Sequence, residues 1–273
     1  MADIVRAPEP GMLQQVVSAE VDVQVATAHR FPRDLQSVQK TIMVYATSSK
    51  KVAEDCYYAL PRRGEGGKQT LITGPSVHLA RIVVSCWGNF RASTRVMGTD
   101  DTMVHASGLA WDLQSNVALA SEVSRRITGR NGRRYSDDMV AVTGAAASAI
   151  AYRNAVFGVI PRFAWEPVFE KCLQLVAGGA ARDLEGARDG SLQWFAQRGL
   201  PEERVLAALG LGDRSEITPE HVTTLRGLAK AHAAGEVSDL AAALGVPPGD
   251  DANGSWRRGK EVEPLLAEVK SNE

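Results

Sequence analysis

No apolar run in the chain approaches the roughly 18 residues that a membrane-spanning helix needs. The start, Met1-Ala2-Asp3-Ile4-Val5-Arg6-Ala7-Pro8, carries no basic stretch followed by an apolar one, so no export signal is expected. Cysteine is scarce. Cys56, Cys86 and Cys172 are odd in number and widely spaced, which argues against a disulfide framework and a zinc site and fits a reducing compartment, where each serves as a small buried hydrophobe. Together these absences predict a soluble protein of a reducing cytoplasm. Aromatic residues make up only 6% of the chain, too few for extensive base stacking. An apolar share of 44% with 23% charged residues is that of an ordinary globular protein.

The net charge of −1 over 273 residues conceals two regions of opposite sign. Residues 61–135 hold 11 Lys and Arg against 5 Asp and Glu, and residues 172–273 hold 11 against 16. A basic module next to an acidic one is expected where one part meets a polyanion and the other meets proteins or solvent. The length suits one substantial core and a smaller unit. Composition divides the chain into an arm over residues 1–28, a core over 29–198, a small helical unit over 199–246 and an acidic, disordered tail over 247–273.

The predicted class is α+β. The arm has no firm helical period. Leu35, Val38, Ile42 and Tyr45 recur at helical spacing, and a second helix is expected over Lys50 to Tyr58. Residues 61–69, rich in glycine and charge, read as a mobile basic loop. Gly74-Pro75-Ser76 opens a helix with Leu79, Ile82, Val83 and Cys86 on one face, closed by Trp87-Gly88-Asn89. The period then changes to two. Strands are expected over residues 90–97, 102–113 and 117–127, the last two joined by a tight turn at Gln114-Ser115-Asn116. Asn131-Gly132 marks a hairpin tip, Ser136-Asp137-Asp138 caps a long helix running to about Val159, and Pro161 stops it. Helices follow to about Gln197, and Thr218-Pro219-Glu220 starts another in the small unit.

Enzymatic signatures fail on inspection. Gly64-Glu65-Gly66-Gly67-Lys68-Gln69 lacks the first glycine of a phosphate loop, where Arg62 stands, and the hydroxyl after lysine, where Gln69 stands. A metal-dependent nuclease would have to draw on Asp100, Asp101, Asp112 and Glu122, with Asp100-Asp101 reading first as a turn. No nucleophile motif stands out. Neither a catalytic residue nor a cofactor nor a bound metal is expected.

Cations stand out instead. Arg91 and Arg95 share one strand face, Arg125, Arg126, Arg130, Arg133 and Arg134 crowd the hairpin, and Arg62, Arg63 and Lys68 lie on the basic loop. Fixed guanidinium and ammonium groups are what bind a phosphate backbone. The alternative is that several of them pair with Asp137, Asp138 and Glu122.

Ile72-Thr73-Gly74-Pro75-Ser76-Val77-His78-Leu79-Ala80, Trp87-Gly88-Asn89-Phe90, the three-strand meander, and the helix from Val142-Thr143-Gly144 through Ala151-Tyr152-Arg153-Asn154-Ala155-Val156-Phe157-Gly158 resemble the core of single-strand annealing proteins. That superfamily includes phage RecT, Redβ and Erf and the eukaryotic Rad-fifty-two-type mediator. The resemblance spans residues 71–161. It implies a helix lying across a β-meander with a basic hairpin, a second long helix, assembly into rings or filaments, and single-stranded DNA held in a basic groove with its bases outward. It implies ATP-independent annealing of complementary strands in recombination, with Arg153 as a groove cation. Ser76 stands where eukaryotic members of that superfamily tend to carry a basic residue, for which Lys68, Arg91 or Arg95 would substitute. The small helical unit resembles the appendage by which phage members dock an exonuclease or a single-strand-binding protein. The rival expectations are a ring-forming adaptor whose basic hairpin binds an acidic protein, and a metal-dependent nuclease.

Overall fold

A computed structural model describes residues 10–63, 69–129, 131–237 and 239–245. Among these the chain is α+β, with ten α-helices and two antiparallel sheets. None of the helices is long and apolar enough to cross a membrane. The order begins with α1 (Pro10–Arg30), α2 (Leu35–Ala46) and α3 (Lys50–Asp55), followed by the hairpin β1 (Tyr57–Arg63) and β2 (Gln69–Pro75). Then come α4 (Val77–Trp87) and the meander β3 (Phe90–Thr99), β4 (Met103–Asp112) and β5 (Val117–Arg126). The remaining helices are α5 (Asp137–Val159), α6 (Arg162–Arg182), α7 (Leu184–Ala196), α8 (Glu202–Leu209), α9 (Pro219–Ala233) and α10 (Leu240–Ala243).

Local chemistry sets most boundaries. The Ser76 hydroxyl accepts from the amides of His78 and Leu79 and starts α4, and Ser136 does the same for α5 through Met139. Asn116 takes a positive φ of 56° in the turn between β4 and β5, a conformation that asparagine tolerates. Thr218 and His221 form a reciprocal capping box at α9.

Three local expectations are corrected. The expected arm over residues 1–28 is helical from Pro10, where α1 begins, residues 1–9 lying outside the described residues; the apolar residues of α1 make no single stripe, and Val17 and Val23 stay exposed. Of the stretch read as a basic loop, residues 61–63 end β1 and Gln69 begins β2, with Pro61 opposite Leu71 and Arg63 opposite Gln69, while residues 64–68 lie outside the described residues. Pro61 is tolerated because a two-stranded sheet consists of edges. The helix expected to reach Tyr58 ends at Asp55, and Tyr57 already belongs to β1.

The long helix α5 lies on one face of the meander. That face of β4 is Val104, Ala106, Gly108 and Ala110, all buried, and small residues let the helix approach closely. A Cβ on Gly108 would stand 2.3 Å from the Ala151 carbonyl oxygen, a backbone atom that has no rotamer to yield. Gly108→Ala should therefore destabilise the fold by about 1–3 kcal/mol or more, read as a lower denaturation midpoint at unchanged slope.

A second core joins α2, α3, α4, α6 and the C-terminal half of α5, with Ile42, Leu79, Val83, Val156 and Val168 fully buried and Cys56 and Cys172 among them. The third core gathers α7 to α10 with the β1–β2 hairpin. The helices beyond Leu200 thus pack on the hairpin as well as on each other. Gly227 of α9 sits against the Ala59 backbone, and the Tyr57 hydroxyl donates to the Thr223 carbonyl at 3.1 Å.

Candidate nucleic-acid interface

Strand register determines which arginines share a surface, since directly paired residues project to the same side. On the face away from α5 the rows are Arg91–Trp111–Ala118, Ser93–Leu109–Ala120, Arg95–Ser107–Glu122 and, beyond a bulge at Val96, Gly98–His105–Ser124. Arg126, opposite Met103, ends this face.

Consecutive strand residues point to opposite sides, so Arg125 and Arg126 cannot act as a pair. Arg125 turns to the helix side, where its guanidinium donates to the carbonyls of Gly235 at 2.8 Å and Glu236 at 3.0 Å. It anchors the loop after α9. Arg126, Arg95 and Arg133 are exposed and have no acidic partner among the described residues. Arg134 donates to the Asp100 carbonyl at 2.6 Å and to Thr99 Oγ1 at 3.3 Å, which fixes its position without neutralising it. Arg91 is half-buried, bonded to Gln24 at 2.9 Å with Glu20 at 3.8 Å, so α1 partly neutralises it. Asp137, Asp138 and Glu122, the acids considered as internal partners, form no ion pair among the described residues. Arg62 and Arg63 sit in β1, but their side chains, like Lys68 and Arg130, lie outside the described residues.

Arg153 is a correction. Its side chain is 8% exposed and pairs at 2.9 Å with Glu236, itself 6% exposed, and its guanidinium lies 4.3 Å above the Tyr58 ring. A cation so enclosed and neutralised holds α5, β1 and the loop after α9 together and is not open to phosphate in this arrangement.

One cation that sequence reasoning passed over lies in a groove of about 440 Å³ beside the free edge of β3. Arg81 of α4, Ser93, Thr94, Ser148 and Tyr152 line it. Arg81 is exposed, without an acidic partner among the described residues. Burial raises the Tyr152 phenol, and the nearby Arg81 charge opposes the rise. The available signal was helical phase: His78, Arg81 and Ser85 form the polar side of α4, opposite the buried Leu79, Ala80, Val83 and Trp87.

No protein family, curated protein or solved structure matches this chain. The reading therefore rests on the site itself.

Ser124, His105 and Asp100 form a hydrogen-bonded chain on the open face, with His105 Nδ1 2.8 Å from Ser124 Oγ and Nε2 2.9 Å from Asp100 Oδ2. The backbone amide of Thr102, with help from His105 and the Met103 amide, holds the Asp100 carboxyl well below its usual range. The order matches a nucleophile, base and orienting acid, but His105 and Asp100 are 43% and 54% exposed. Water competes for each of these bonds, and acyl transfer needs an enclosed site with donors aimed at the oxyanion. The bonds are better explained as a brace: Asp100 ties down its own turn, and His105 links it to β5. Among the described residues no cluster of three or more His, Cys, Asp or Glu side chains could hold a metal ion.

Proposed function

We propose that this protein binds single-stranded DNA through its phosphates and promotes the annealing of complementary strands without ATP, as a homo-oligomer in the bacterial or phage-infected cytoplasm. The observation that carries the reading is a set of guanidinium groups with no internal counter-charge. Arg81 stands in the groove beside β3, Arg126 and Arg133 stand bare at the other end of the sheet, and Arg134 is held only by neutral oxygens. Arg81 lies beside Ser93 and Thr94 of β3 and Arg126 beside Met103 at the start of β4, so the set is spread along the sheet, as contact with an extended polyanion requires.

Backbone grip also suits annealing, because bases not buried in stacking pockets remain free to pair. Trp111, the one tryptophan on the open face among the described residues, already donates its indole N–H to Asn116 at 3.2 Å.

Fluorescence anisotropy of a labelled oligonucleotide across a salt series tests the proposal. The affinity should fall linearly on logarithmic axes, and Arg81→Ala and Arg126→Ala should each weaken binding and flatten the slope by about 1. Slopes that do not change in either variant would remove those residues from the interface. If the protein binds acidic polypeptides as well as it binds DNA, the adaptor reading prevails. If magnesium causes labelled DNA to shorten, the nuclease reading does.

A further inference from the structure

We propose that copies of this chain join head to tail by continuing the meander, β5 of one copy lying parallel to β3 of the next, with Glu122 brought beside Arg95. This deepens the assembly part of the reading above and is independent of DNA binding.

Among the described residues the sheet has two unpaired edges. β3 and β5 are each ten residues long, are the outer strands of the meander, and contain neither proline nor lysine, the residues that commonly block edge pairing. Val117 and Leu119 are exposed on the β5 side and Val96 on the β3 side, all on the face that carries α5. The bulge after Val96 limits a clean edge to Phe90 through Val96, which matches Val117 through Val123 row for row.

Charge selects the partner edge. Arg95 and Glu122 occupy opposite ends of one row, exposed and each without an ion pair among the described residues. Within a chain two strand spacings, about 10 Å, separate their backbones; across a head-to-tail seam it is one, about 5 Å. β3 and β5 run in the same direction, so this seam is parallel. A two-fold seam would be antiparallel. Setting β3 against itself over residues 90–96 brings Arg91 of each copy opposite Arg95 of the other, cation against cation. Setting β5 against itself so that Glu122 meets Arg126 overlaps only Glu122 through Arg126 and leaves Val117 and Leu119 uncovered. Because the two edges differ, the contact repeats and yields a ring if it closes or a filament if it does not. The seam also passes the Arg81 groove, one side of which the next copy would complete.

Sedimentation velocity of the whole chain tests this. Wild type should sediment as an assembly. Arg95→Glu and Glu122→Arg should each shift it towards the 29.3 kDa of one chain, and the double exchange should restore the assembly. Both side chains are exposed, so the circular dichroism spectra of the single variants should match wild type. A wild type that sediments as a single chain at every concentration would overturn the proposal, as would single variants that stay assembled or a double exchange that fails to reassemble. An intact assembly that ignores oligonucleotides would instead overturn the DNA-binding reading and leave this seam standing.

Discussion

Glu236→Ala should lower the unfolding free energy by about 3–5 kcal/mol in a urea titration, because it leaves the Arg153 guanidinium enclosed with no counter-charge. The pair is 2.9 Å apart with both side chains more than nine-tenths buried, and Arg153 also covers the Tyr58 ring. Desolvating two ions is expensive, so the intact pair need not contribute much net stability. Breaking it is what costs. Replacing both, as Arg153→Met with Glu236→Leu, should recover most of the loss or all of it, since two apolar side chains of similar volume carry no desolvation penalty. Arg125 would still hold the carbonyls of residues 235 and 236 in that double variant. A Glu236→Ala loss under about 1 kcal/mol would mean that water reaches Arg153, and the cation would again be a candidate for phosphate binding.

A loss of the same size, about 3–5 kcal/mol, is expected for Asp112→Ala. Asp112 ends β4 and forms a two-pronged ion pair with Arg33, with Nη2 to Oδ1 at 2.7 Å and Nη1 bonded to Oδ2. It also accepts from the Trp87 indole at 3.0 Å and from the amides of Gln114 and Ser115. Arg33 lies 4.6 Å over the Trp87 ring. One carboxylate thus ties the segment before α2, the end of α4 and the β4–β5 turn. Burial pushes the Asp112 carboxyl up, but the hydrogen bonds from Arg33, Trp87 and Ser115 outweigh burial and hold it below its usual range. The sign follows from linkage: a depressed folded-state value means that this stability is fully present above the ordinary carboxylate range and is lost as pH falls through the folded value. Acid titration of wild type and variant should show the gap between their stabilities narrowing below that range. A gap that stays constant would show that Asp112 acts through packing and not through its charge.

The sequence was most informative where one local rule decided the outcome. Alternation over residues 90–127 located three strands, Asn116 marked their turn, and Ser76 and Ser136 marked two helix starts. It was least informative where the deciding contact is remote. Arg153 looked like an available cation because Glu236 lies 83 residues away, and Arg125 looked like the twin of Arg126 because adjacency in sequence hides opposite orientation in a strand. The β1–β2 hairpin was missed because its glycines and arginines read as loop, whereas Ala59, Leu60 and Leu71 find their apolar cover on α7 to α10, far along the chain. The α1 helix was missed for the opposite reason: it buries little, so no stripe announces it.

The dependence of the hairpin on α9 sets an order for biosynthesis. Tyr57 finds its carbonyl partner 166 positions later, so a nascent chain carries β1 and β2 with their inner side bare until Thr223 has left the ribosome. At elongation rates of about 5–20 residues per second that interval lasts on the order of ten seconds or more, long enough for an early-binding chaperone to engage the hairpin before its own helix arrives.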